Sequence, residues 1–277
     1  MLVAERYDEI ARLVSERGSI RVTELSGLFG VAEETIRRDL DALEGRGLLR
    51  RSHGGAVRNN DQLEAPYFER KTVNIEEKRE IAATALQFVL AGDQIILDAS
   101  TTAWYMASSM PNIRLTVLTN SIKVAAELAS KDKVTVISTG GVLSPRSLSF
   151  VGPSAERALD LHHVNKAFLS CKGLHMQKGI TESNELQASV KRKMIEISDE
   201  RYLLIDYSKF DLQEFIFVSD LEQIQHVITD FRTAPDKIAR LQRSSVHVVQ
   251  VEMNVERKRE AGVIGHPVCQ SVGARDL

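Results

Sequence analysis

Two sets of residues in this chain have types and spacings that can do chemistry. The first is "EETIRRDLDAL", residues 33–43. Wound as a helix at about 100° per residue, it places Ile36, Leu40 and Leu43 on one face, with Ala32 beside them. Glu34, Thr35 and Arg38 then point the other way, and Arg37 lies on the flank. An outward arginine on a helix anchored by its apolar face can pair with guanine O6 and N7, or clamp phosphates. Asp39 falls at the core edge, where it orients an arginine rather than touching DNA. The second set is a series of small polar residues. "LDASTTAW" holds Asp98, Ser100, Thr101 and Thr102; "VLTNS" holds Thr119, Asn120 and Ser121; "ISTGG" holds Gly140 and Gly141. Hydroxyls and glycines just ahead of a helix expose backbone N–H groups that suit phosphate. Any one cluster also fits an ordinary turn. Three at corresponding strand ends indicate a ligand site. Lys209 in "IDYSKF" follows a fourth strand. It reads as a counter-charge in that company and as a surface lysine alone.

The elements that must carry these residues follow from periodicity. Val3, Tyr7, Ile10 and Val14 recur at helical spacing, and Gly18 follows. "VTELSGLF" starts a short second helix with Thr23 as its N-cap, and Gly30 makes the turn into the third. Helix, glycine turn, longer helix is the helix-turn-helix arrangement, whose last helix enters the major groove. "LLRRSHGGAVR" then reads as a basic β-turn, or wing. Arg50, Arg51 and Arg58 are placed to meet phosphates, with Ser52 and His53 between them.

Residues 58–75 are polar and read as a linker, with Tyr67 and Phe68 packing on the second domain. From residue 76 to 252, β-branched runs alternate with helical patterns. The strands are "QIILDA", "RLTVLTN", "KVTVIST", "NKAFLSC", "YLLIDY", "HVITD" and "VHVVQV". Helices fall near 77–89, 102–109, 122–129, 154–161, 185–197 and 235–242. Such alternation predicts a mostly parallel sheet covered on both faces, with ligands at its carboxyl ends. Residues 253–277 lose the pattern and read as a tail. The expected organisation is a small winged helix-turn-helix domain over 1–57, a linker, and an α/β domain over 76–252.

Composition sets limits. The 277 residues carry a net charge of −2, so DNA binding must rest on local geometry rather than global charge. Cys171 and Cys269 form neither a disulfide framework nor a zinc pattern, which predicts a reduced, cytoplasmic chain. "MLVAERYDEI" lacks the apolar run of a signal peptide, and no run is long enough to span a bilayer. His162 and His163 are adjacent, which is wrong for a shared zinc. No Walker A or dinucleotide fingerprint occurs, and no metal or cofactor is expected. Lys191, Arg192 and Lys193 in "SVKRKMIEI" read first as a solvated helix face, with Lys191 reaching a ligand as the less favoured alternative.

The motif Arg6 with Ile10, then "A-x-x-T-I-R-R-D-L" over 32–40 and "GLLRRSHGGAV" over 47–57, resembles the DeoR-type bacterial repressors. Ala32 departs from it, standing where many members carry a capping Ser; Ala at an N-cap costs about 1 kcal/mol. The region 76–251 is similar to the family's sensor domain, whose fold resembles ribose-5-phosphate isomerase. By that likeness "DASTT" is the phosphate loop, "TNS" the second ligand loop and "DYSK" the isomerase's D-x-S-K. The isomerases carry an acidic cluster where this chain has "FLSCKGLH", in which Ser170, Cys171 and Lys172 supply no carboxylate. Glu182 or Glu185 in "ITESNEL" remains as a base or as an acceptor for sugar hydroxyls. Lys172 and Gly173 complete the expected ligand contacts.

The resemblance implies a DNA-binding repressor of a sugar catabolic operon, controlled by a phosphorylated sugar. Its partners would be operator DNA, that sugar, and further copies of the chain as a homodimer or homotetramer. As a whole the chain most resembles members associated with rhamnose-type deoxysugar catabolism. The alternative is a sugar-phosphate isomerase-like enzyme with an appended DNA-binding domain.

Overall fold

The computed structural model describes residues 3–17, 19–45, 48–52, 54–57, 65–244 and 246–252. His53, residues 58–64 of the expected linker with Arg58 among them, and the expected tail lie outside the described residues, as does the side chain of Arg50.

The amino-terminal part holds α1 (Val3–Arg17), β1 (Ser19–Arg21), α2 (Val22–Phe29), α3 (Glu33–Gly45), β2 (Arg50–Ser52) and β3 (Gly55–Val57). Ile10, Val14, Leu25, Ile36, Leu40 and Leu43 close one core beneath an antiparallel sheet of order β1-β3-β2. Gly30 ends α2 in the left-handed region (φ 64°), where its N–H donates to the Ser26 carbonyl. Thr23 is not the N-cap. β1 runs straight into α2, so Arg21 holds the cap position and Thr23 sits exposed in the first turn. The Val22 N–H that a cap side chain would neighbour donates instead to the Gly54 carbonyl of the wing at 2.9 Å.

The second part opens with α4 (Tyr67–Thr72) and α5 (Ile75–Leu86). It continues with β4 (Gln94–Leu97), α6 (Thr101–Ser108), β5 (Leu115–Thr119), α7 (Ile122–Leu128) and β6 (Val134–Ser138). A hairpin of β7 (Val142–Ser144) and β8 (Ser149–Val151) leads to α8 (Pro153–Asp160) and β9 (Val164–Leu169). Then come β10 (Gly173–His175), β11 (Gly179–Glu182), α9 (Glu185–Glu196), β12 (Ser198–Leu204), β13 (Ile216–Ser219), β14 (His226–Thr229), α10 (Pro235–Arg243) and β15 (His247–Gln250).

The seven strands read from the sequence are the seven strands of the main sheet, in the order β15-β14-β12-β9-β4-β5-β6. Every pairing in it is parallel. Neighbouring residues point to opposite faces, so Ile96 enters one core while Ile95 and Leu97 enter the other. Strand order reverses between β4 and β9: later strands extend outward from both. In open parallel sheets that reversal opens a crevice at the carboxyl ends. A smaller antiparallel sheet, β10-β11-β13, and the β7–β8 hairpin were not anticipated, because three or four residues are too short to show a period. Tyr67 is buried as expected of it, whereas Phe68 is exposed with the Lys123 ammonium 5.2 Å from its ring.

Candidate functional site

On α3, Ile36, Leu40 and Leu43 are fully buried and hold the helix to its domain. Arg38 projects outward with 80% of its side chain exposed, and Arg37 with 47%. Arg37 meets Glu33 at 2.8 Å and Glu34 at 3.5 Å; Arg38 reaches Glu34 at 3.8 Å. Such exposed pairs are worth little, so phosphates or base edges can replace these partners cheaply. Thr35 is half-buried beside them, and Ser52 is exposed on the wing.

Arg51 is placed differently from the sequence expectation. Its guanidinium turns back to Asp41 at 2.6 Å and to the Arg37 carbonyl at 2.9 Å, and its N–H donates to Glu44 at 2.7 Å. It braces the wing on α3. Asp39 does orient an arginine, and that arginine is Arg6, 33 residues earlier: Nε donates to Oδ2 at 2.6 Å and Nη2 to Oδ1 at 3.1 Å.

The crevice between β4 and β9 holds a cavity of about 270 Å³. Asp98 sits at its floor just past β4. Its carboxylate accepts from the N–H of Ser100 at 3.0 Å, the N–H of Ser170 at 2.9 Å and the ammonium of Lys191 at 2.8 Å. Lys191 also pairs with Glu182 at 2.9 Å and donates to the Ser170 carbonyl. Burial alone would push the Asp98 carboxyl up; Lys191 and these N–H donors hold it below the usual carboxylate range instead. Burial alone would lower Lys191; Asp98 and Glu182 raise it. Asp98 and Lys191 therefore stay ionised together.

Ser100, Thr101 and Thr102 line the cavity at the start of α6, where first-turn N–H groups have no intrahelical acceptor. Asn120 lines it too. Its Nδ2 donates to the Phe150 carbonyl at 3.0 Å, while its buried Oδ1 has no hydrogen-bond partner among the described residues. Lys172, Glu182 and Lys209 are brought to the same cavity. Thr119, Ser121, Gly140, Gly141 and Gly173 are not among its lining residues. Thr119 donates to the Leu97 carbonyl at 2.6 Å, and Ser121 caps α7 by accepting from the Val124 N–H. Gly141 has φ 115°, and a Cβ there would meet the Val151 carbonyl oxygen at 2.9 Å. Gly173 packs against the backbone of Leu212.

Residues 6–62 match the model of the DeoR-like helix-turn-helix domain, and residues 73–231 match that of the DeoR C terminal sensor domain. The chain belongs to the DeoR family. It is 50% identical over 255 residues to an uncharacterised HTH-type transcriptional regulator of Bacillus subtilis, YulB, covering 92% of this chain and 99% of that one. It is 43% identical over 234 residues to the L-fucose operon activator of Haemophilus influenzae, covering 84% and 94%. It is 31% identical over 252 residues to the putative aga operon transcriptional repressor of Escherichia coli O157:H7, covering 90% and 94%. The DeoR relatives thus include an activator and a repressor by name, and none of these names mentions rhamnose. The protein is a DNA-binding transcriptional regulator of DeoR type.

Within this DeoR fold, Lys191 takes the less favoured of the two places the sequence offered it and lines the cavity. It is not on a solvated face: 11% of its side chain is exposed. A signal existed. Gln187, Ala188, Val190, Met194 and Ile195 form the buried stripe of α9, and Lys191 lies in phase with it. Lys78 and Arg70 also line the cavity without having been singled out, and Asp206, quoted only as the first residue of "DYSK", joins them. Lys78 and Arg70 carry no local motif. Among the described residues no group of three or more His, Cys, Asp or Glu could hold a metal ion, and no helix is long and apolar enough to cross a membrane.

Proposed function

We propose that this protein is a cytoplasmic repressor of a sugar catabolic operon, and that a phosphorylated sugar bound in the cavity beside Asp98 controls its hold on operator DNA. The carrying observation is the cavity's split chemistry. Asp98 and Glu182, both paired with Lys191, offer acceptors for sugar hydroxyls. Lys172, Lys209 and the start of α6 offer donors and positive charge for phosphate. The exposed Arg37 and Arg38 on α3 supply the DNA contact in this reading, assisted by Thr23, Glu34, Thr35 and Ser52, with Arg51 bracing the wing; Arg50 and His53 are assigned to it from the sequence alone. The chain acts as a homodimer or homotetramer, because one such module covers too little DNA for operator-level affinity.

Isomerase chemistry has less support. Ser170, Cys171 and Lys172 bring no carboxylate, and burial pushes the Cys171 thiol up to about 12. Incubating the protein with sugar phosphates and following aldose–ketose conversion tests that alternative directly.

The deciding experiment measures binding of the full chain to its own upstream DNA while a panel of sugar phosphates is added. We expect DNA affinity that falls steeply with salt. One sugar phosphate should change that affinity and raise the melting temperature, and its unphosphorylated sugar should do neither. Salt-insensitive DNA binding, or indifference to every sugar phosphate, defeats the proposal. A promoter fusion gives the sign of regulation.

A further inference from the structure

The segment by which the chain enters the sensor domain is itself a wall of the cavity. Ala65, Glu69, Arg70, Val73 and Asn74 line it alongside the residues after β4 and β9. The helix in this segment, α4, has six residues, too few to be stable by its own hydrogen bonds. It is held from outside. At its start the Tyr67 side chain is buried and the Tyr67 N–H donates to the Arg146 carbonyl at 2.7 Å. Along it the Tyr105 hydroxyl donates to the Lys71 carbonyl at 3.2 Å, and the Lys71 ammonium lies 3.7 Å from the Trp104 ring centre. At its end Lys78, in the first turn of α5, donates to the carbonyls of Arg70 and Val73, both at 2.6 Å.

Lys78 differs from the other holds. It is buried, it lines the cavity, and among the described residues it makes no ion pair. Its ammonium is given to two neutral carbonyls. The charged groups that act on it are Asp206 and Lys209 after β12, Arg70 on α4 and Lys172 after β9. Three of these are cations, so an anion bound beside Lys78 would also meet Lys209, Arg70 and Lys172. A charge-assisted bond from an ammonium to an anion is stronger than one to a carbonyl.

We propose that Lys78 is the latch coupling the cavity to the linker: an anionic ligand draws its ammonium off the Arg70 and Val73 carbonyls, and the end of α4 is released. Loss of both bonds removes one of the three holds on a helix that cannot stand alone. An anion that binds best where Lys78 has turned favours the released state. The chain from β3 reaches α4 through residues 58–66, so that release changes how the DNA-binding domain is tethered. The inference rests on the anionic-effector reading above and adds which residue senses the ligand and which segment moves.

The test uses the full chain with millimolar inorganic phosphate as probe, against chloride of equal ionic strength. Melting temperature reports binding, and hydrogen exchange of the amides at 67–73 reports α4. Phosphate should raise the melting temperature and speed that exchange by about tenfold. Lys78→Met should exchange fast without phosphate and respond no further. Lys78→Arg keeps the charge and should keep a response. If phosphate raises the melting temperature while exchange at 67–73 is unchanged, or if Lys78→Met responds like the parent, the latch is wrong and the cavity reading stands. If phosphate changes neither quantity, both fall. Should Lys78→Met not fold, the parent and Lys78→Arg still decide.

Discussion

Arg6 on α1 and Asp39 on α3 form a two-pronged buried ion pair, with Nε to Oδ2 at 2.6 Å and Nη2 to Oδ1 at 3.1 Å. Both belong to the motif through which the chain resembles its family, and neither faces where DNA would lie. The pair fixes α3 against α1, so its loss acts on stability first. Arg6→Ala should destabilise the amino-terminal domain by about 3 kcal/mol, because it strands a buried carboxylate. Urea denaturation followed by circular dichroism measures this; a loss under 1 kcal/mol would contradict a structural role.

Arg38 should behave in the opposite way. It is the most exposed side chain of the arginine pair on α3. Arg38→Ala should leave the melting temperature unchanged and weaken DNA binding. If Arg38 meets a phosphate, the slope of log affinity against log salt should fall by about 1; if it meets a guanine, the loss should be specific to one base position.

Ala32 leaves α3 without a side-chain cap. Its carbonyl accepts from the N–H of Thr35 at 2.9 Å and of Ile36 at 3.2 Å, so it occupies the cap position. Ala32→Ser should add an acceptor there and stabilise the domain by about 1 kcal/mol. A thermal melt of the variant beside the parent is enough; a lower melting temperature would show that the helix start has no room for the hydroxyl.

Lys191 pairs with two buried carboxylates and keeps Asp98 ionised, so its removal should show in a pH series. Asp98 has a folded-state pKa below its unfolded value. Its contribution is therefore present above the unfolded value of about 4 and is lost as pH falls through the lower folded value. In Lys191→Met, burial without the ammonium pushes Asp98 the other way, so the variant suffers most when the carboxyl must be charged. The stability gap between parent and variant should be about 3 kcal/mol near neutral pH and should narrow toward pH 4. A gap independent of pH would mean that Asp98 is not the group Lys191 holds.

Burial pulls Lys78 down to about 8, with Lys209, Arg70 and Lys172 acting in the same direction and Asp206 against it. Between about 8 and the unfolded value of about 10.4 the unfolded chain holds a proton that the folded chain has lost. Stability from this group therefore rises with pH across that window, while affinity for an anion falls. Titrating phosphate affinity from neutral pH upward should show a decline centred near 8 that Lys78→Met lacks.

Local pattern carried much of the fold. The runs of Val, Ile and Leu at 94–97, 115–119 and 164–169 read as strands because buried parallel strands are apolar on both sides. The hydroxyl clusters at 98–102 and 119–121 were visible because strand ends that precede helices need small capping residues. That same requirement explains why pattern alone did not sort them. Ser121 caps a helix outside the cavity, while Ser100 caps a helix that opens into it, and the local chemistry of the two is alike.

By itself the sequence determined the seven strands, the main helices, the outward arginines of α3 and the type of regulator, since each rests on residues within a few positions of one another. Tertiary structure decided the partners. Arg6 found Asp39, Arg51 turned back to Asp41, and Lys191 met Asp98 across 93 positions. The physical reason is strand order. The sheet reverses between β4 and β9, and that reversal gathers residues from β4, β9, β11, α9 and the entry segment around one cavity. Periodicity reports which side of an element is buried. It does not report which distant charge waits there, and for Lys191 and Lys78 that charge is the whole of the chemistry.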